Sequence, residues 1–346
     1  MSEKFCGKST RDIKRVVCIK LYEVEERKRA MIFIDKEKIK SLIDYNEMMD
    51  TMEEAFHIFG SGEFFMPPRP VVENDNKMLM YMPCYTNSAI GTKILSIFPE
   101  NAKLGLPSID GVILMNDHTT GAPIAVLDGQ AVTAWRTGAV GGVGIRHFSR
   151  KDAHTYGVIG AGTQAFHQTL YACAARDIHT VYVYNHSDRD LTDYLARLEA
   201  AIDNPNTKVV LCKDVVELVK ASDIICTATP ATEPLLPNDA ELLRGKCIIA
   251  VGSYTPQMRE IPDAIWDLVD NVYIELPYAL EESGDLSQPL EAGRLKEENA
   301  ILMSDYLAQA ERKEIKEGET TYFKSVGMAL FDVCAANKLL EKAKEN

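Results

Sequence analysis

Residues 155–165 read TYGVIGAGTQA. A run without charge passes directly into glycines, and the helix-forming stretch FHQTLYACAAR follows. An unbroken apolar run marks a strand covered on both faces, and a strand that turns at once into a helix commits the chain to βαβ winding. Downstream come TVYVYNHS, a helical stretch over 190–202, KVVLC, a second helical stretch over 213–220, then ASDIICTATP, CIIAVGSY and NVYIEL. Strands alternating with helices at this spacing predict a doubly wound parallel sheet.

The chain before residue 150 has another rhythm. MIFIDKEKIKSLI opens with a short strand. Residues 45–60 place Met48, Met52, Ala55 and Phe56 on one helical face. PPRPVV, KMLMYMPCY, IGTKILSIF, GVILMND and APIAVLD read as strands, and NDHTTGAPIAVLDG has the polar, Gly-containing turn of a hairpin. QAVTAWRTGAVGGVGIRHF is rich in small residues at helical spacing, as in a helix that bridges two domains. The tail FKSVGMALFDVCAANKLLEKAKEN reads as a helix and is expected to pack back on the first domain. The fold class expected is therefore α/β. A Rossmann-type sheet over 151–319 joins a second, α+β domain over 31–150 plus 320–346, behind a leader of uncertain order at 1–30.

Composition narrows the function. A net charge of -13 in 346 residues argues against nucleic acid and anionic membrane as partners. No apolar run approaches the roughly 18 residues of a membrane span. The 8 cysteines are scattered with no C-x-x-C pair, which suits reduced thiols in the cytoplasm. In the charged leader, VVCIKLY is short and contains a lysine, so it is not a signal-peptide core, and the regular pattern begins at Met31.

Gly160-x-Gly162-x-x-Ala165 stands where strand becomes helix. Gly160 permits the tight turn, Gly162 admits a pyrophosphate to the helix N-terminus, and Ala165 permits close helix–sheet packing. Ala161, Thr163 and Gln164 complete this dinucleotide loop. The second strand ends in Asn185-His186-Ser187, with Arg189 beyond, where NAD sites usually carry a carboxylate for the ribose 2′-hydroxyl. Loss of that carboxylate favours NADP(H), with NAD(H) possible; the plain alternative is an ordinary turn from which Asp188 reaches the ribose. Thr229 and Ser253 end parallel strands and face either a nicotinamide nucleotide or a helix N-terminus that they cap. The histidines are dispersed, and no metal is expected.

Lys93 interrupts the buried strand IGTKILSIFPEN. A buried ammonium is costly unless paired or neutralised.

Taken with MPPRP, YMPCY, DHTTGAPIAVLDGQAVTAWRTGA, TATPATEP, VGSYTPQMREIP, ESGDL and SVGMALFD, the chain from Met31 to Ala336 resembles the ornithine cyclodeaminase/mu-crystallin family. The resemblance implies a substrate-binding and dimerising N-terminal domain, a Rossmann domain for NAD(P), with Gly252 at its fifth strand, and a returning C-terminal helix. It implies chemistry at the Cα–N bond of an amino or imino acid. Arg69, Lys93 and Arg136 match the family's substrate-contacting residues, so a substrate anion would compensate Lys93, which acts as acid, base or carboxylate clamp. Surface ion pairs are the bland alternative for all three. Two departures matter: Tyr254 replaces the aspartate and Met80 the glutamate of the cyclodeaminase pattern. Both favour a ketimine reductase acting on a cyclic imino acid such as Δ1-pyrroline-2-carboxylate, and the resemblance implies that it is a homodimer. Ornithine cyclodeaminase, alanine dehydrogenase and a non-catalytic NADPH-binding protein are the alternatives. Glu282-Ser-Gly-Asp285 resembles a structural family loop.

Overall fold

The computed structural model describes residues 31–312 and 314–345. The leader, with Cys6 and Cys18, lies outside the described residues.

Seven strands build the first sheet: β1 (Ile32–Ile34), β2 (Phe64–Phe65), β3 (Val71–Asn74), β4 (Lys77–Thr86), β5 (Ile90–Ile97), β6 (Ile109–Asn116) and β7 (Pro123–Asp128). Their order is β1-β7-β6-β5-β4-β2, with β3 also on β4. All pairs are antiparallel except β1 on β7. The β6–β7 hairpin turns where the polar, glycine-containing segment predicts it. Side chains alternate between faces. Met82, Lys93 and Ile113 sit opposite one another across β4, β5 and β6, and all three are buried. The lysine therefore belongs to the inward row by register.

Helices α1 (Lys36–Leu42), α2 (Tyr45–Ser61) and α3 (Gly129–Phe148) accompany this sheet. Asp128 caps α3 by accepting from the Ala131 N–H. Its small residues allow close contact on two sides. A Cβ on Gly141 would lie 1.8 Å from Gln168 Oε1, and one on Gly142 would lie 2.5 Å from Met49 Sδ. Met49 belongs to α2 and Gln168 to the first helix of the second sheet, so α3 joins both layers.

That second sheet is wholly parallel. In chain order it comprises β8 (Thr155–Ile159), α4 (Thr163–Ala175), β9 (Thr180–Tyr184), α5 (Thr192–Ala201), β10 (Lys208–Leu211), α6 (Val215–Ala221), β11 (Ile224–Thr227), α7 (Ala240–Leu243) and β12 (Cys247–Ala250). It continues with β13 (Val272–Ile274), α8 (Ala279–Glu282), α9 (Gly284–Glu291), β14 (Ala300–Leu302), α10 (Met303–Leu307) and β15 (Thr321–Lys324). The strand order is β10-β9-β8-β11-β12-β15-β13-β14. Its first five positions follow the Rossmann winding, in which the order reverses between β8 and β11 and opens a crevice there.

The expected boundary at residue 320 needs a correction. Thr321–Lys324 is not part of the first layer; it lies between β12 and β13 in the parallel sheet. All four of its side chains are buried, which only an interior strand position allows. The return begins with α11 (Ala329–Glu345), which packs on α2, β4 and β5. No helix of the described residues is long and apolar enough to cross a membrane. The described cysteines are free thiols, buried or half-buried.

Candidate active site

Gly160 has φ +111°, a conformation that disfavours any side chain, and a Cβ there would meet the Ala228 carbonyl oxygen at 2.7 Å. The β8–α4 turn thus lies directly on the β11 end. Gly162 is the N-cap of α4, and no atom lies within 4 Å of the place its Cβ would take. Ala165 is fully buried, and the neighbouring Gln164 Oε1 is buried without a partner. Free N–H groups at a helix start, glycine in place of a side chain above them and an unsatisfied amide fit the pyrophosphate of a dinucleotide. Thr163 and Ala161 border the same turn.

At the end of β9, Asn185 Nδ2 donates to Ser187 at its carbonyl oxygen (3.0 Å) and its hydroxyl (2.7 Å). His186 and Ser187 are exposed, and the Arg189 guanidinium donates to the Ala161 carbonyl, bringing a cation to the glycine loop. No acidic side chain stands at position 185.

The ends of β11 and β12 are fixed by a glutamate that sequence reasoning missed. Glu260 Oε1 accepts from the Thr229 N–H and hydroxyl at 2.8 and 2.7 Å. Oε2 accepts from the Thr227 hydroxyl and the Gly252 N–H, each at 2.9 Å. Burial, then the Asp285 charge, push its pKa up to about 7. Asp285 Oδ1 accepts from the Glu260 and Ile261 N–H groups, while its Oδ2 pairs with the fully buried Lys324 at 3.1 Å. The Ser253 hydroxyl is also committed, donating to the Met258 carbonyl at 2.7 Å and lying 2.9 Å from Ser283 Oγ. The hydroxyls of Thr229 and Ser253 thus bind protein partners.

Across from these strand ends lie the three sequence-predicted cations. Lys93 Nζ stands 3.1 Å from both oxygens of Asp332 on α11, and Arg136 Nε on α3 stands 2.9 Å from Asp332 Oδ1. The expectation that a substrate anion compensates Lys93 is corrected here: the chain carries its own counter-ion. Burial lowers the Lys93 pKa to about 8; the Arg136 and Arg69 charges act the same way and Asp332 opposes them. Burial by itself would raise the Asp332 pKa, but Arg136 and Lys93 outweigh it and hold the carboxyl below its ordinary range.

Arg69 joins through Gly327. Its Nη2 donates to the Gly327 carbonyl at 3.2 Å, and a Cβ on Gly327 would lie 2.9 Å from Arg136 Nη1. Arg69 Nη1 also pairs with Glu282 Oε1 at 3.3 Å. Arg136 Nη1 is buried without a partner. Asp332 pairs with two of the cations and Glu282 with the third, the buried Glu275 acts on Arg136 as well, and the donor left without a partner is the Arg136 guanidinium N–H at Nη1. That arrangement suits a carboxylate ligand.

Asp332 was legible in one respect: it is the one charge within MALFDVCAA, a run that must be buried. Tyr254 is 48% exposed and Met80 is half-buried, and neither side chain carries a carboxyl group. The histidines are dispersed in sequence, but His154 and His179 stack at 4.3 Å and, with Asp177, bring three donor atoms within 4.8 Å of one another. The rings are parallel and face to face, so one ion cannot lie in both ring planes as they stand. The group involves none of the site residues above.

Comparison with known proteins follows the same lines. The Delta(1)-pyrroline-2-carboxylate reductase of Bacillus cereus (strain ATCC 10987 / NRS 248) is 31% identical over 322 residues, spanning 91% of this chain and 97% of the relative. The solved Thermococcus litoralis Delta(1)-pyrroline-2-carboxylate reductase in complex with NADH and L-proline is 31% identical, covers 91% of this chain and 98% of its own, and has a TM-score of 0.83. An archaeal alanine dehydrogenase dimer with bound NAD is 26% identical, with coverage of 91% and 96% and a TM-score of 0.80. A sequence model of the ornithine cyclodeaminase/mu-crystallin family matches residues 29–346. By that match and by these relatives, the chain belongs to the ornithine cyclodeaminase/mu-crystallin family.

Proposed function

We propose that this protein is a nicotinamide-dependent reductase of cyclic ketimines, converting a substrate such as Δ1-pyrroline-2-carboxylate to the cyclic amino acid. The observation that carries this reading is the buried Arg136 Nη1, left without a partner in the Arg69–Lys93–Arg136 cluster. A bound dinucleotide supplies hydride there. The chain's own residues hold the substrate carboxylate on Arg136 and Lys93 and exclude water around the C=N bond. The absence of an acid at Tyr254 and Met80 separates this reading from ornithine cyclodeamination. Stoichiometric loss of reduced nicotinamide on mixing with Δ1-pyrroline-2-carboxylate is the expected result. Ammonia release from ornithine with no net cofactor change would replace it with the lyase reading, and reductive amination of pyruvate with the alanine dehydrogenase reading.

NADP(H) is the proposed cofactor, on the strength of Asn185 in the carboxylate position and Arg189 beside the glycine loop. NADH bound at least tenfold more tightly than NADPH would overturn that choice. The functional unit is proposed to be a homodimer formed through the outer face of the first sheet. There Tyr81, Ile94 and Val112 align across β4, β5 and β6, and Phe33 aligns with Val126. Phe33, Phe65, Leu79, Tyr85 and Val112 on or beside this face are exposed. An apolar sheet face of this kind marks an interaction surface. Free thiols, buried or half-buried among the described residues, agree with a cytoplasmic location.

A further inference from the structure

Five buried or half-buried carboxyl groups lie among the residues described above, and their hydrogen bonds distinguish them. Asp332 gives both oxygens to Lys93 and Oδ1 also to Arg136. Glu275 accepts from the Ser325 hydroxyl and from the Val326 and Gly327 N–H groups. Glu260 accepts four donors, and Asp285 accepts two N–H groups and Lys324. Glu282 differs. Its Oε1 is held by Arg69, while Oε2 is buried and has no partner. Among the described residues it is the one carboxyl group with an unsatisfied buried oxygen.

Its place in the fold gives that oxygen a use. Glu282 ends α8, and the next residue, Ser283, lies against Ser253 just past β12. Arg69 ties the same side chain to the carbonyl of Gly327, whose missing side chain leaves room for the Arg136 guanidinium. Glu282 thus stands between the carboxylate-binding cations and the strand ends that border the dinucleotide crevice. A substrate held there by its carboxylate has a nitrogen one carbon away, and that nitrogen needs a proton as the adjacent carbon is reduced.

We propose that Glu282 Oε2 is the proton donor to the imine nitrogen. This rests on the reductase reading. The imine carbon accepts hydride from the reduced nicotinamide, the C=N π bond breaks, and its electron pair takes the proton from the Glu282 carboxyl. C–H and N–H bonds form, the nicotinamide is oxidised, and the carboxylate left behind is reprotonated from solvent. Burial raises the Glu282 pKa, which favours the protonated form, and Arg69 opposes the rise while holding the side chain in place. Lys93 is the poorer donor because Asp332 holds its ammonium group through both oxygens.

Glu282→Gln keeps shape and the acceptor for Arg69 but removes the acidic proton. The variant is expected to lose about 10²- to 10⁴-fold in kcat/KM on the ketimine and to lose the fall in rate seen as Glu282 deprotonates with rising pH. Binding provides a second arm that needs no turnover. L-proline offers a ring nitrogen to Glu282, and cyclopentanecarboxylate offers the same carboxylate without it. Glu282→Gln should weaken L-proline about tenfold or more and leave cyclopentanecarboxylate within about threefold. Unchanged turnover, or equal weakening of both ligands, would overturn the assignment and show a structural role. Wild-type protein that binds L-proline in preference to cyclopentanecarboxylate yet reduces no ketimine would refute the reductase reading while leaving Glu282 as the nitrogen-facing group.

Discussion

Lys93 on β5 and Asp332 on α11 are 239 residues apart in the chain and meet with Nζ 3.1 Å from both carboxylate oxygens. Arg136 shares that carboxylate, so the two cations are unequal in what each loses without the other. Replacing Lys93 with Met leaves Asp332 and Arg136 as a matched pair. Stability should stay within about 1 kcal/mol of wild type, because the volume is kept and a buried charge is removed. The kcat/KM should fall about 30- to 1000-fold through loss of a charged substrate contact. Asp332→Asn strands two buried cations and should cost about 3–5 kcal/mol in urea unfolding. A destabilised but fully active Lys93→Met would show the lysine to be structural.

The lowered Lys93 pKa has a pH signature. Below pH about 8 the lysine is charged in both folded and unfolded chains, and the cost of burying that charge is fully present. Between about 8 and the ordinary 10.5 the unfolded chain holds the proton and the folded one does not, so this group's contribution to stability rises with pH. Wild type should therefore gain on Lys93→Met in unfolding free energy from pH 8 to 10. A difference that stays flat over that range would mean that Lys93 titrates at its ordinary pKa.

Gly160 and Gly162 should fail differently when changed to Ala. At Gly160 a Cβ meets the Ala228 carbonyl at 2.7 Å in a left-handed backbone, so the fold itself should lose about 1–3 kcal/mol. At Gly162 the Cβ has open space, so Tm should shift little while the Kd for dinucleotide rises at least tenfold. Calorimetric Tm and cofactor titration on both variants separate the two roles. Equal cofactor affinity in Gly162→Ala would remove the turn from the phosphate site.

The outer sheet face makes its own prediction. Val112→Arg puts a charge in the middle of an exposed apolar row whose neighbours include Ile94 and Tyr81. Dimers seen by light scattering for wild type should become monomers, with far-UV circular dichroism unchanged. A variant that remains dimeric would place the interface elsewhere.

Much of this protein is local in origin, and that part was legible. The period-two rows of β4 to β7, the small-residue face of α3 and the Gly160–Gly162 turn each follow from steric rules that act within a few residues. The glycine turn also fixed the winding, because a strand running straight into a helix must cross over to pair in parallel. The same local rules marked Lys93 as inward-facing, since its strand alternates and its neighbours are buried.

What the sequence left open depended on contacts between distant segments. No spacing rule pairs Lys93 with Asp332, Glu282 with Arg69, or Lys324 with Asp285; those pairs form only when β5, α8, β15 and α11 have been packed together. The β15 placement was missed for a related reason. A four-residue strand has almost no pattern of its own, and its position between β12 and β13 comes from burial on both faces. Charge compensation in a low-dielectric interior is satisfied by proximity in space, and sequence order carries no record of it. The residues capable of chemistry were visible in the sequence, whereas the tertiary structure decided which of them are already paired and that Glu282 keeps an oxygen free.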